Sequence, residues 1–213
     1  MKNKISDVVL VVDDSPESLG MLNVALNTQG YTALVALNGL QALSIIDKVE
    51  PDVILLDVRM ESGDGLTALG RAKVEYPKIP VLMLSTFDNP TYVARAVALG
   101  ASGYLSKGLD REQIIEAIEG AYHGGNSWTR EALRRVAGAL ATPRIAADVD
   151  VPLTHRESEV LEQLAEGLTN KEIALALGIS YETVKEHVQH ILRKIGVSDR
   201  TQAAVWAVRE GIV

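Results

Sequence analysis

The sequence predicts a doubly wound α/β domain with a five-stranded parallel sheet, followed by a small all-α domain of four helices containing a helix-turn-helix. Two observations carry this. Over the first 122 residues, short β-branched runs alternate with helix-like segments in five units of about 20–25 residues, the rhythm of a parallel sheet covered on both faces. Over the last 60 or so, only helical spacing remains, broken by a short glycine-containing turn.

The strand runs are Val8–Val12, Thr32–Ala36, Val53–Leu56, Val81–Leu84 and the stretch around Gly103–Leu105. The third and fourth are almost wholly apolar, as strands buried on both faces should be. Helices are expected over 16–29, 39–48, 65–75, 90–98 and 111–122. Ser15-Pro16 and Asn89-Pro90 each supply a capping side chain followed by proline at the first helical position. His123-Gly-Gly-Asn126 ends the fifth helix, and Thr129–Ala141 reads as a further helix. Thr142–Pro152, with two prolines and no strong period, reads as linker. Thr154-x-x-Glu157 and Thr169-x-x-Glu172 are capping boxes. They open the first two of four helices near 155–166, 170–177, 181–195 and 199–210, with Leu177-Gly-Ile-Ser180 as the turn between the second and third. The expected division is therefore a first domain at 1–124, a partly helical linker at 125–152 and a second domain at 153–213.

Composition narrows the function. With no cysteine, disulfides, thiolate zinc sites and cysteine nucleophiles are excluded. No run reaches the ~18 apolar residues of a membrane span, and the start lacks an apolar signal core, so a cytoplasmic protein is expected. The net charge of −7 opposes nucleic-acid binding. Dividing the chain does not remove the objection: residues 1–140 hold 13 Lys/Arg against 17 Asp/Glu, and residues 141–213 hold 8 against 11. Any positive footprint must be local.

In an open parallel sheet, ligands bind beyond the carboxyl ends of the strands. Asp13 and Asp14 follow the first strand, Asp57 the third, Ser85 the fourth and Lys107 the fifth. Three carboxylates at one rim repel one another and would hold a hard divalent cation, with Mg²⁺ the expected ion. A phosphoryl group at Asp57 would meet the metal, a hydroxyl and an ammonium, which is the electrostatic arrangement phosphoryl transfer requires.

The motifs Val11-Val-Asp-Asp14, Leu55-Leu-Asp57-Val-Arg-Met60, Leu84-Ser85-Thr86 and Tyr104-Leu-Ser-Lys107 resemble the response-regulator receiver domain, a flavodoxin-like fold, over residues 6–122. The resemblance implies Asp57 as phosphoacceptor. It implies Mg²⁺ bound directly by Asp14, largely through water by Asp13, and by Asp57 and the backbone carbonyl of Arg59. Ser85, Thr86, Tyr104 and Lys107 become the phosphate-binding and switch residues. Among them Ser85 takes the switch-hydroxyl position, Tyr104 the switch-aromatic position, and Lys107 the pairing with phosphate. Two positions depart from the pattern. Glu61 stands where receivers usually carry proline, which should leave that loop less rigid. Gly108 stands where many carry proline after the lysine, so a trans bond is expected there.

On a helical wheel, Val184, Val188, Ile191 and Ile195 form a core stripe with Leu192 at its edge. Glu182, Lys185, Glu186, Gln189 and Arg193 lie opposite, and Thr183, His187, His190 and Lys194 form a lateral stripe. The outer face has donors and acceptors suited to major-groove edges. The stretches Leu153-Thr-His-Arg-Glu157, Val160-Leu161, Gly167–Ala174, Thr183-Val-Lys185 and Lys194-Ile-Gly-Val197 resemble the LuxR-type helix-turn-helix. With the receiver this is the NarL/FixJ arrangement. It implies a recognition helix over 181–195, with Lys185, Glu186 and Gln189 facing base edges and Thr183, Arg193 and Lys194 facing phosphates. Glu157 and Gly167 match packing and turn positions. Residues 180–200 carry Lys185, Arg193, Lys194 and Arg200 against Glu182, Glu186 and Asp199. So weak a footprint calls for two domains on paired half-sites, and hence a homodimer formed on phosphorylation.

The implied function is a two-component transcriptional regulator, phosphorylated by a sensor histidine kinase and binding promoter DNA. It is not a turnover enzyme on an external substrate, and no membrane partner is implied. A phosphatase of the haloacid-dehalogenase type carries a second Asp two residues after its nucleophile, a spacing that Asp13-Asp14-Ser15 lacks. The remaining alternative is a phosphorylation-controlled protein-binding module without DNA.

Overall fold

The computed structural model describes residues 7–60, 63–86, 89–130, 133–134, 136–137 and 153–213. It divides into two compact units, Met1–Asp88 with Leu99–Thr129, and Asn89–Ala98 with Arg130–Val213.

The first unit is built on β1 (Val8–Val12), β2 (Thr32–Ala36), β3 (Val53–Asp57), β6 (Val81–Ser85) and β7 (Gly103–Ser106). All pairings are parallel, in the order β2-β1-β3-β6-β7. That order reverses direction at β1, and the crevice beside such a reversal is where ligands bind. β3 and β6 are buried at every position, which explains why their sequences do not alternate. On one face, α1 (Pro16–Thr28) and α5 (Arg111–Tyr122) bury Leu22, Leu26, Ile114 and Ile118 against Val9, Val11, Leu55 and Leu84. α2 (Gly39–Ile46) and α3 (Gly65–Glu75) pack on each other, on β1 and on β3. Ser15 caps α1 ahead of Pro16, as its sequence indicates. A two-residue antiparallel ribbon, β4 (Arg59–Met60) with β5 (Gly63–Asp64), follows Asp57 and was not legible in the sequence.

The second unit gathers α4 (Pro90–Ala98) with α6 (His155–Ala165), α7 (Asn170–Leu177), α8 (Tyr181–Lys194) and α9 (Arg200–Arg209). Both predicted capping boxes are present, Thr154 with Glu157 and Thr169 with Glu172. Gly178 closes α7 at φ +64°, a left-handed conformation that favours glycine and turns the chain into α8. Val160, Leu161, Leu164, Ile173, Val184 and Ile191 form the core of the last four helices. α4 packs on α9, and the buried Arg95 donates to the carbonyl of Ala165 at 3.0 Å. Residue 130 and residues 133, 134, 136 and 137 are helical, within the span expected over 129–141. The linker at 142–152 and the loop at Glu61 lie outside the described residues.

Candidate functional site

The strand ends deliver their polar residues to one rim. Asp57 is the last residue of β3 and Ser85 the last of β6, while Asp13 and Lys107 lie one residue beyond β1 and β7. Lys107 reaches between two carboxylates, with Nζ 2.7 Å from Asp13 Oδ2 and 3.0 Å from Asp57 Oδ2. Its backbone N–H donates to the carbonyl of Ser85 at 2.9 Å, tying the end of β7 to that of β6. Asp13, Asp57 and Ser85 are buried, whereas Asp14 and Tyr104 are half-buried and Thr86 is exposed. No peptide bond is cis among the described residues, so Lys107–Gly108 is trans as expected.

Burial pushes the Asp57 carboxyl above its ordinary range and Asp13 adds to the push. Lys107 and the backbone N–H of Arg59 pull it down without cancelling the rise. Burial also opposes the charge on Lys107, but the two carboxylates outweigh it and raise its pKa. One ammonium thus serves two carboxylates, with Asp14 beside them. Oxygens of Asp13, Asp14 and Asp57 lie within 4.8 Å of one another. Such a cluster of hard oxygens with excess negative charge fits a divalent cation.

Two residues of this site were missed by sequence reasoning. Ser18, in the first turn of α1, donates its hydroxyl to Asp13 Oδ2 at 2.5 Å while the Ser15 N–H donates to Oδ1 at 2.9 Å. With Lys107 included, the fully buried Asp13 receives three donors. Gly65 is the other. A Cβ there would fall 1.8 Å from the carbonyl oxygen of Asp57, so only glycine lets the start of α3 approach this strand end.

In the last helices, Ser180 caps α8 by accepting from the Thr183 N–H, and its hydroxyl lies 2.8 Å from that of Thr183. Val184, Ile191 and Ile195 are buried, with Val188 and Leu192 packed against them. Lys185, Glu186, Gln189 and Arg193 are exposed, and Thr183 is half-buried. Lys194 behaves differently from its expected place among the phosphate-facing residues: its ammonium lies 2.6 Å from Oε2 of the buried Glu157. Burial pushes the Glu157 carboxyl up, but bonds from Lys194 and Thr154 more than offset it and hold the pKa down to about 2. Arg200 also turns inward, to the carbonyl of Leu168 and to Asn170. The exposed charges of α8 therefore reduce to Lys185 and Arg193 against Glu182 and Glu186, still less basic than the sequence count.

A parallel sheet with carboxylates and a lysine at its carboxyl rim, on a chain ending in a helix-turn-helix, is the build of a signalling switch joined to a DNA-binding module. Residues 9–119 match the response regulator receiver domain, and residues 151–207 match the bacterial regulatory proteins of the luxR family. The chain belongs to the NarL/FixJ response regulators, the two-component transcriptional regulators that join these two domains. It is 36% identical over 219 residues to the transcriptional regulatory protein LnrK of Bacillus subtilis, covering 96% of this chain and 97% of that one. The crystal structure of ChrA, the response regulator of a heme-sensing two-component system, aligns over 98% of this chain and 99% of that one, with 31% identity and a TM-score of 0.52. RcsB of Salmonella enterica serovar Typhimurium, bound to a promoter with a phosphomimetic, shares the fold at a TM-score of 0.61 and 22% identity, over 95% and 99% of the two chains. Among the described residues no helix is long and apolar enough to cross a membrane.

Proposed function

We propose that the chain accepts a phosphoryl group on Asp57 from a sensor histidine kinase and, once phosphorylated, dimerises and binds promoter DNA through α8. The observation that carries this reading is the ammonium of Lys107 spanning Asp13 and Asp57 at 2.7 and 3.0 Å, inside a cluster of three carboxylates.

A carboxylate oxygen of Asp57 attacks phosphorus, the bond to the donor nitrogen breaks, and the imidazole leaves with the electron pair. Lys107 moves from the carboxylates to the arriving phosphoryl oxygens. Ser85 turns its hydroxyl toward them, Thr86 lies next to it, and Tyr104 fills the space Ser85 leaves. Mg²⁺ would be held by Asp14, Asp57, the Arg59 carbonyl and, through water, Asp13; when bound it offsets charge on the transferring group. The chain is the acceptor in this reaction and turns over no external substrate.

In this reading the receiver spans 1–124, the linker 125–152 and the DNA-binding domain 153–213, and the protein works in the cytoplasm. Lys185, Glu186 and Gln189 face base edges. Thr183, Arg193 and Lys194 face phosphates, and Lys194 must leave Glu157 to do so. The near-neutral outer face of α8 makes one domain a weak binder, so affinity comes from paired domains on paired half-sites.

Intact-mass spectrometry after incubation with Mg²⁺ and a phosphohistidine donor tests the acceptor. The wild type gains one phosphoryl group and Asp57→Asn gains none. Equal uptake by the variant would remove Asp57 from the role.

A further inference from the structure

Asp13 is the fully buried carboxylate of the rim, and two elements hold it. From the end of β7, Lys107 Nζ lies 2.7 Å from Oδ2. From α1, the Ser18 hydroxyl donates to the same oxygen at 2.5 Å, and just ahead of the helix the Ser15 N–H donates to Oδ1 at 2.9 Å. A serine in a helix ordinarily turns its hydroxyl to solvent or back to a carbonyl of the preceding turn. Ser18 instead gives it to a charged group outside the helix, five residues earlier. A donor to a charged acceptor is worth more than one to a neutral acceptor, and this one shares its oxygen with the ammonium that must move during phosphoryl transfer.

We propose that Ser18 is a positioning residue for phosphoryl acceptance, holding Asp13 Oδ2 while Lys107 moves to the phosphoryl oxygens. The inference rests on the reading of Asp57 as phosphoacceptor. Before transfer, Oδ2 has both donors. During transfer the ammonium turns to the arriving oxygens, and the buried Asp13 loses its cation. A buried carboxylate stripped of its partner is costly. The Ser18 hydroxyl stays on Oδ2 and the Ser15 N–H on Oδ1, so the carboxylate neither rotates after the lysine nor draws it back. Ser18 touches neither phosphorus nor the departing group; it acts through Asp13. Its loss is partly masked while Lys107 still bonds Oδ2 and is felt once the lysine has moved. The step that moves the lysine should therefore slow by about tenfold without the hydroxyl.

The test compares the full-length wild type with Ser18→Ala, Ser18→Cys and Ser18→Thr. Cysteine keeps the shape but donates weakly, and threonine keeps the hydroxyl. The donor is phosphoramidate, whose protonated nitrogen leaves as ammonia with the electron pair when an Asp57 oxygen attacks phosphorus. Intact mass follows the limiting rate at saturating Mg²⁺ and donor. Calorimetry measures the affinity for beryllium trifluoride, a stable mimic of the phosphoryl group, and separately for Mg²⁺ alone. The expected result is a loss of about tenfold in limiting rate and in beryllium trifluoride affinity for Ser18→Ala and Ser18→Cys. The half-saturating donor concentration, the Mg²⁺ affinity and the melting temperature should stay near the wild-type values, and Ser18→Thr should restore rate and affinity. An unchanged rate and affinity in Ser18→Ala overturns the role while leaving Asp57 as acceptor. So does a Mg²⁺ affinity that falls as far as the rate, or a Ser18→Thr protein as impaired as Ser18→Ala. If the wild type takes no phosphoryl group, the acceptor reading fails and the role of Ser18 with it.

Discussion

Among the described residues, Lys107 and Lys194 pair with buried carboxylates, with opposite electrostatic outcomes. In the first unit Lys107 pairs with Asp13 and Asp57, and the Asp57 pKa rises. Among the last helices Lys194 pairs with Glu157, and the Glu157 pKa falls to about 2. Burial is the largest cause of the rise at Asp57, and stoichiometry decides whether the bonds at each carboxyl can offset it. Glu157 has one ammonium to itself and two further bonds from Thr154, whose N–H and hydroxyl donate at 2.7 and 2.9 Å. Its charge is satisfied, and the pair holds α6 to the end of α8. Lys107 is divided between Asp13 and Asp57, whose two charges exceed its one. A buried ion pair is therefore a poor guide to function by itself. Unbalanced charge at the carboxyl edge of a sheet is a better one, because something must arrive to neutralise it.

This contrast predicts its largest effect at Glu157. Glu157→Ala breaks a buried pair and removes a cap. It should cost about 3 kcal/mol, at the low end for such pairs because the Lys194 side chain is 24% exposed and can reach water. Glu157→Gln keeps an acceptor for the cap and should cost less. The pH dependence has a definite sign. A carboxyl lowered from 4.5 to about 2 stabilises the fold above the ordinary value, and that stability is lost as pH falls through the window between them. Trp206 packs against this core, so its emission in a Trp128→Phe background follows the unfolding. A Glu157→Gln protein with the same acid slope as the wild type would show that the pair is not its source.

The phosphate pocket should respond in the opposite direction. A carboxyl with a raised pKa contributes stability below its ordinary value, and that contribution is lost as pH rises through the folded value. Ionised Asp57 is then a cost near neutrality. In metal-free buffer Asp57→Asn should raise the melting temperature by a few degrees, at about 2–4 °C for each kcal/mol in a chain of this size. Added Mg²⁺ should narrow or reverse the gap, since it binds the three-carboxylate site better than the two-carboxylate one. Calorimetry at two Mg²⁺ concentrations decides this. A metal-free variant that melts below the wild type would mean that Lys107 satisfies Asp57 after all.

Most of the fold was legible because both domains repeat simple signals. Apolar runs marked β3 and β6, and paired Thr and Glu marked the starts of α6 and α7. The rim was legible because each strand end carries one chemical residue. What could not be read depends on backbone placement or on distant partners. Ser18 looks like any polar residue in the first turn of a helix until α1 is set against Asp13. Gly65 is an ordinary glycine until the carbonyl of Asp57 lies beneath it. The wheel put Lys194 on the side of α8, but it could not show that Glu157, 37 residues earlier, occupies the space beside it. Arg200 was counted as basic surface for the same reason.

The smallest expected effect separates two neighbouring cations in the last turn of α8. Arg193 is exposed, whereas Lys194 is held by Glu157. A side chain that neutralises one phosphate adds about 0.9 to the slope of log affinity against log salt, whatever the sequence bound. Arg193→Ala should therefore flatten that slope by about one unit and weaken binding evenly across sequences. Lys194→Ala should flatten it less and show its main effect as lost stability, because DNA must first draw the ammonium away from a buried carboxylate. Gln189→Ala offers the control: a base-facing side chain changes the selected motif at one position in each half-site and leaves the slope alone. Binding of the phosphorylated variants to a randomised operator library at two salt concentrations measures both quantities together. If Lys194→Ala flattened the slope as much as Arg193→Ala, the ammonium would be leaving Glu157 on the DNA. The pair that stabilises the free domain would then also be a cost of binding.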